Sequence, residues 1–459
     1  MPLILSGNVA TATAATTYDV ANSVRFNGAD SPALKRNSMG TATNRKKWTL
    51  SMWVKRSTTD QRMLASFDGA KSYFQFQSGG QLEINDVPGS SFNYRLVTNA
   101  IYRDITSWMH IVVAYDSTQG TDTNRIKLYV NGEQPSLGTA TYPDQNFEPE
   151  VNSTGSHKYG SYDDSTDYAF NGYFCEIVFI DGTQYAASDF GEFDSDSPRI
   201  WKPKDPSGLT FGTNGHYLDF EASGNLGNDV NGGTDFDENN IVAADQATDT
   251  CTNNFATMNS LVKGNTASTF SEGNLKVAAG GGWGHAVGNI GVAHGKWYWE
   301  VDEINANNNA FFGICNELNL GHLDGDSTPY SEAGLMLYFY DGRRTIDGTS
   351  SEGEYNAWGT THGFALDLDS DPRTIKFYKD GSLEATENLT ANFPAGEFVF
   401  PIFMGSASSN TASVEFNFGN PVTALASGNA DANGYGSFEF SPPSGYIAIC
   451  TKNLGSDGG

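Results

Sequence analysis

Apolar and polar residues alternate in short runs along most of this chain, and Gly, Asn and Pro cut the runs at turn-like intervals. Trp48-Thr49-Leu50-Ser51-Met52-Trp53-Val54 places Trp48, Leu50, Met52 and Val54 on one face of an extended segment. Residues 73–77, 108–115 and 173–180 alternate in the same way. Ile126-Lys127-Leu128-Tyr129-Val130 runs into Asn131-Gly132, the dipeptide that suits the two positive φ values of a tight hairpin. Strand patterns resume near Thr269, with Trp297-Tyr298-Trp299-Glu300-Val301 and Phe364-Ala365-Leu366-Asp367-Leu368. Ile375-Lys376-Phe377-Tyr378-Lys379-Asp380-Gly381 then echoes the earlier hairpin almost residue for residue. Helical periodicity is nearly absent. Many short strands and a hairpin used twice predict an all-β protein: two antiparallel jelly-roll β-sandwiches in tandem.

Between the strand-rich stretches the pattern changes. Residues 206–262 carry 8 acidic groups and no basic ones, many Gly and Asn, and few apolar runs. This predicts an irregular acidic connector at 206–264, although Tyr217-Leu218-Asp219-Phe220 has the pattern of one more strand for the first sandwich. The sandwiches themselves are assigned to 21–205 and 265–454, with 455–459 as a C-terminal tail. Residues 1–20 are small and polar after Leu3-Ile4-Leu5 and cannot build a core alone, so they are expected to form an arm. Trp53, out of phase with Trp48 and Met52, is expected on the outside, against the connector or a neighbouring subunit.

Composition sharpens the picture in two places. The net charge is −27, with 9 basic and 31 acidic groups in residues 206–459. Such a surface repels phosphate backbones and argues against nucleic acid as a partner. No run of about 18 apolar residues is present, so no membrane insertion is expected. Cys175, Cys251, Cys315 and Cys450 are widely spaced in sequence, with no CxxC pair, and buried free thiols formed in a reducing cytoplasm are the expectation.

Several of these segments have a family likeness. Residues 21–195 resemble a laminin-G-like, concanavalin-type jelly roll through Ser23-Val24-Arg25-Phe26-Asn27-Gly28, the Trp48 strand, Trp108-Met109-His110-Ile111-Val112-Val113-Ala114-Tyr115 and the Asn131-Gly132 hairpin. Residues 269–420 resemble a SPRY domain through Gly295-Lys296-Trp297-Tyr298-Trp299-Glu300-Val301, Phe311-Phe312-Gly313-Ile314, Phe400-Pro401 and Phe416-Asn417-Phe418-Gly419. The order of these parts is similar to virion proteins of marine tailed phages. That resemblance implies a virion location after assembly in the host cytoplasm, other virion proteins and a host surface glycan or protein as partners, and a homo-oligomer by analogy with virion appendages. It implies a tail-fibre or receptor-binding role, with capsid decoration as the alternative reading and a glycan-active hydrolase as a third. In the SPRY fold, loops at one end form the recognition surface. This points to Trp283, Tyr340, Arg343, Arg344, Tyr355 and Trp358 as ligand-binding residues. Leu3, Ile4 and Leu5 are the candidate anchor of the arm to the particle.

Catalytic patterns are thin. Laminarinase-type enzymes carry Glu-x-Asp-x-x-Glu, whose alternation aims paired acids into a cleft. The nearest run, Glu192-Phe193-Asp194-Ser195-Asp196-Ser197, ends in Ser197 and is followed by Pro198, so a solvated acidic loop is expected and no catalytic residue is assigned. Asp367-Leu368-Asp369-Ser370-Asp371 begins like a calcium loop, but Pro372 stands where such a loop needs Gly and Tyr378 where it needs Glu. His322-Leu323-Asp324-Gly325-Asp326 and Tyr162-Asp163-Asp164 are equally slight. No metal site or cofactor is called for; calcium is the one ion that the laminin-G resemblance allows. His110 falls in a strand core pattern, and Gly280-Gly281-Gly282 lacks the residues of a phosphate cradle. The expectation is a non-catalytic binding protein.

Overall fold

The computed structural model describes residues 4–5, 18–162, 167–263, 268–279, 283–305, 310–317, 335–339, 344–346, 349–351, 361–406, 413–423, 425 and 428–457. The chain divides into two compact units, Ala14–Thr252 and Asn253–Gly459, the latter joined by Met1–Thr13. Both are β-sandwiches. Among the described residues the one α-helix is Thr451–Asp457, which runs into the expected tail at 455–459.

In the first unit one sheet follows the order Ile126–Val130, Met109–Asp116, Lys47–Arg56, Gly172–Asp181, Ser23–Phe26, Gln246–Ala247, with His216–Leu218 also pairing with Gly172–Asp181. The facing sheet runs Leu137–Thr141, Tyr94–Thr98, Leu82–Asp86, Ser72–Phe76, Arg62–Phe67, His157–Tyr159, Ala33–Arg36, Asp237–Asn239. Trp48, Leu50, Met52 and Val54 all enter the core between them, as their alternation predicts. Trp48 stacks on Tyr115 with centroids 5.0 Å apart.

The central strand Gly172–Asp181 departs from strict alternation. Its register against Lys47–Arg56 shifts between Cys175 and Val178, and Glu176 there has φ 52°. Phe174, Ile177 and Phe179 therefore all face the core. Without the extra residue, Phe174 and Glu176 would share the core face; the bulge turns the carboxyl outward and restores the apolar phase beyond it.

Residues 206–252 correct the expected connector. Tyr217 and Leu218 do add a strand, but so do Asp237–Asn239 and Gln246–Ala247, and Phe220, Leu226, Phe236 and Ile241 are core residues. The segment lacks apolar runs because it contributes its core residues singly, between polar turns. The arm is corrected too: Val20 packs with Trp53 and Cys175, and Tyr18 joins them, so the first unit takes in part of 1–20. At the other end of the expected connector, Met258–Lys263 is already a strand of the second unit.

The second unit pairs one sheet, Met258–Lys263, Trp283–Gly288, Val399–Ser406, Ala310–Asn316, Leu335–Phe339, Arg344–Ile346, Thr349–Ser351, with another built around Lys296–Asn305 and Thr361–Asp367. Trp297, Trp299 and Val301 point into its core, where Trp299 lies flat on Phe364 at 5.3 Å. Ile4–Leu5 pairs in parallel with Ile290–Gly291.

The two echoing hairpins share one turn. Asn131 and Gly132 have φ 49° and 81°, and Asp380 and Gly381 have 45° and 77°, the paired positive values of a type I′ turn. Beyond it they diverge. Ser382–Asn388 returns as a full strand, whereas Val130 bridges Glu133 and the next strand, Leu137–Thr141, belongs to the facing sheet.

Phe236 tests the enlarged first unit: it is 2% exposed, and Arg36 lies over its ring at 4.6 Å. Phe236→Ala should destabilise the first unit by about 3–5 kcal/mol in denaturant unfolding. Val242→Ala, at a side chain 60% exposed, should stay within about 0.5 kcal/mol. Equal, small effects would remove residues 206–252 from the core.

Candidate functional site

The outer face of the first unit's sheet carries buried apolar residues as well as the inner one. Trp53, Val112, Cys175, Val178 and Ile180 lie on it and are buried. A strand buried on both faces needs a second cover, and the chain supplies one after residue 190. Gly191–Phe193 and Trp201–Pro203 form a separate two-stranded hairpin, in register Phe193 to Trp201, and the Trp201 ring lies beside His110.

Between this hairpin and the sheet lies a cleft of ≈ 450 Å³, lined by Trp53, Trp108, Val130, Asn131, Glu133, Phe193, Pro198, Arg199 and Trp201. Its aromatic wall is built in layers. Trp53 is paired directly across the strands with His110 and stacks on it at 4.7 Å, and the Trp201 ring lies nearly parallel to the imidazole with centroids 6.0 Å apart. The Trp201 indole Nε1 donates to His110 Nδ1 at 2.9 Å. An indole nitrogen only donates, so Nδ1 accepts and His110 carries its proton on Nε2, 2.8 Å from Ser51 Oγ. Complete burial holds the His110 pKa down to about 3, and the ring stays neutral. His110, expected in the core from its strand pattern, instead lies on the outer face of the sheet with Trp53 and is buried there beside the hairpin.

Glycines give Trp201 its place. A Cβ at Gly132 would stand 2.3 Å from the indole, and one at Gly191 would stand 2.6 Å from it. Trp108 is fixed separately: its Nε1 donates to Asp249 Oδ1 at 3.0 Å, and Asp249 forms a buried ion pair with Lys55 at 2.6 Å. Phe193, 41% exposed, meets Trp201 edge-on at 4.9 Å and forms the outer lip. Glu133 and Arg199 add one charge of each sign to the rim, and both are exposed.

Next to Trp53 the cover is pinned by a polar triad. The Tyr18 and Tyr217 hydroxyls each lie 2.8 Å from Glu176 Oε2 and 2.7 Å from one another. Three such contacts need three protons, and two phenols supply two; the third belongs to the carboxyl. Burial acts in the same direction, pushing the Glu176 pKa up to about 8.

Of the residues expected to bind ligand, two lie among the described residues. Trp283 begins a strand and pairs with Ser406. Arg344 opens another, and its Nε lies 2.9 Å from Glu387 Oε1, so this guanidinium ties together strands of the two sheets. Tyr340, Arg343, Tyr355 and Trp358 lie outside the described residues, as do Leu3, Asp163, Asp164 and the run His322–Asp326. The calcium-like run is a capped turn: Asp367 accepts from the Asp369 and Ser370 backbone at 3.1 and 2.9 Å and from Lys296 at 2.9 Å. Asp194 likewise accepts from the Asp196 and Ser197 backbone, at 2.9 and 2.8 Å, and pairs with Lys202. Among the described residues no three His, Cys, Asp or Glu side chains gather as a metal site, and no helix is long and apolar enough to cross a membrane. The cleft was signalled in sequence by the out-of-phase Trp53; nothing in the run around Trp201 pointed there.

The family comparison agrees with the architecture of the first unit. Residues 27–187 match the family described as the Concanavalin A-like lectin/glucanases superfamily. No curated protein matches the chain. Solved structures similar to it include the SPRY domain of human HERC1, at 19% identity over 35% of this chain and 96% of that one, with a TM-score of 0.28. A native heptameric SAP-like pentraxin from Limulus polyphemus is 15% identical over 37% of this chain and 80% of that one, TM-score 0.29. The TRIM65 PSpry domain is 16% identical over 35% and 88%, also at 0.29. At such scores these likenesses carry no argument about function.

The triad predicts a pH dependence. Above the ordinary carboxyl pKa the unfolded chain loses the Glu176 proton while the folded chain keeps it, so stability falls as pH rises from about 4.5 towards 8. The slope from this group is at most about 1.4 kcal/mol per pH unit, and Glu176→Gln should remove it in urea unfolding at pH 5–8. An unchanged slope in the variant would show that the carboxyl is ionised in the fold. Separately, Gly132→Ala should displace Trp201 and quench or shift tryptophan emission relative to the parent protein.

Proposed function

We propose that this protein is a non-catalytic recognition protein whose first unit holds a sugar ring of a surface glycan in the Trp53–Trp108–Trp201 cleft. The observation that carries the reading is the cleft itself: rigid, pre-positioned aromatic faces beneath a rim with a carboxylate, an amide and a guanidinium. Apolar faces of a pyranose stack on such rings while rim groups fix its hydroxyls. The match of residues 27–187 to a lectin and glucanase superfamily supports the same ligand class. Hydrolysis of a glycosidic bond needs two carboxyl groups flanking it. Among the described residues the cleft lining contains one, Glu133, which favours binding over cleavage.

The setting we propose is the surface of a tailed-phage particle, in the tail-fibre or receptor-binding class, with capsid decoration as the competing assignment. Support for it is the order of parts along the chain: a polar leader, a concanavalin-type unit, then a second sandwich. Docking of the leader onto a particle through Ile4 and Leu5 would have to compete with their pairing to Ile290 and Gly291.

Phe193→Ala and Arg199→Ala alter the exposed rim without touching the core. Each should weaken binding to host surface polysaccharide about threefold to tenfold in titration calorimetry, with no reducing ends released from the polysaccharide. Parent-like affinity in both variants would exclude the cleft as the site; binding only to deglycosylated host envelope protein would replace the glycan by a protein ligand. Gold-labelled antibody on intact particles should mark the tail. Labelling of the head would favour decoration.

A further inference from the structure

Cys175 and Cys251 are 76 positions apart in sequence, yet the fold brings their side chains together. Cys175 sits on the outer face of the central strand, immediately before the bulge, and is fully buried. Cys251 follows the strand Gln246–Ala247, is half-buried, and packs in the same cluster as Trp53, Val20 and Cys175. The two thiols lie within hydrogen-bonding reach of each other, and the Cys175 thiol also meets the backbone of Cys251. Both are free thiols.

The meeting is held from both sides. Ahead of Cys251, Asp249 is bound by Lys55 at 2.6 Å and by Trp108 at 3.0 Å, and its carbonyl accepts from Ser23 Oγ at 2.6 Å. After it, Thr252 Oγ1 accepts from Val20 N at 3.1 Å and lies 3.2 Å from the Val20 carbonyl oxygen. The backbone on either side of Cys251 is thus fixed against the sheet that carries Cys175, and little chain entropy remains to be lost on joining the sulfurs.

We propose that Cys175 and Cys251 are a cross-linking site that closes to an intramolecular disulfide when the folded protein meets a small-molecule disulfide oxidant. Cys251, the residue with the greater surface exposure, exchanges first. Its thiolate attacks the oxidant and releases one reduced thiol; Cys175 then attacks the mixed disulfide at the Cys251 sulfur and releases the second. Both protein thiols are oxidised, the oxidant disulfide is reduced to two thiols, and the two protons pass to the leaving thiolates. In a reducing compartment the pair stays open. The closed loop encloses the hairpin with Phe193 and Trp201, which is part of the outer cover of the first unit and one wall of the cleft, together with the strands His216–Leu218 and Asp237–Asn239. This cross-link is independent of what the cleft binds.

Burial pushes both thiols above their ordinary pKa, so closure should be slow at neutral pH and accelerate by nearly tenfold per pH unit from 7 to 9. The test is incubation of the full folded chain with oxidised glutathione, alkylation, digestion and mass spectrometry. The expected product is one peptide pair joining Cys175 and Cys251, lighter by two hydrogens, with Cys315 and Cys450 alkylated only after unfolding. The melting temperature of the first unit should rise by about 5 °C or more, and Cys251→Ser should abolish both the linked pair and the rise. A stable glutathione adduct on Cys251 without the cross-link, no reaction in the folded chain, or a lowered melting temperature would each overturn the proposal. All three readouts are made on the unsubstituted protein, so a poorly folding variant does not blur them.

Discussion

Burial of both faces of the first unit's central strands is the constraint from which the rest of that unit follows. A sheet with one solvated face would need only the opposing sheet. Here Trp53, Val112, Val178 and Ile180 stand on the far side as well, and leaving them wet would forfeit roughly 1.5–3 kcal/mol apiece. The hairpin at 191–203, the strand His216–Leu218 and the residues Tyr18–Val20 exist to cover them. The cleft is the place where that cover stands off the sheet.

The second unit meets the same demand with a different segment. Tyr298 and Ala365 lie on the outer face of its sheet and are covered by Phe438, Tyr446, Ala448 and Cys450. In both units a buried glutamate on the outer side of a central strand pins the cover. Glu300 accepts from Tyr298 Oη at 3.0 Å, from the backbone of Glu439 and Phe440 at 2.8 and 2.9 Å, and from Asn417 at 3.2 Å. Burial lifts its pKa to about 7, yet its many donors suit a carboxylate, whereas the Glu176 triad needs a proton on the acid. One residue type in one position is held in two ways, and the number of donors around it decides which.

Much of this was legible in sequence, and the remainder was hidden for identifiable reasons. Alternation located the inner-face core because a strand has period two and every inward position is apolar. Residues 206–252 escaped notice because they give the core its residues singly: Phe220, Leu226, Phe236 and Ile241 are separated by Gly, Asn and Asp, and no periodicity connects them. Glu176 was unreadable for the opposite reason, since alternation places it in the core and only a bulge removes it. Trp53 alone announced the second layer, by being large, apolar and out of phase. The proximity of Cys175 to Cys251 has no local signature at all, because it is a product of the cover folding back.

The location of the cleft bears on how recognition can be tuned. A site made of sandwich-end loops varies freely, as loops seldom carry the core. This one is lined by Trp53 and Trp201, whose rings both lie against His110, and by Trp108, whose indole binds the Lys55–Asp249 pair. Substituting any of the three disturbs packing or a buried charge before it alters ligand contact. Adjustable positions are confined to the rim: Phe193, Pro198 and Arg199 on the hairpin, and Glu133 beside the turn. Variation of specificity in this architecture is therefore expected to follow the short run 193–199 while the tryptophan floor stays constant. Under the proposed reading, such a site keeps its ligand class and changes only which substituents it tolerates.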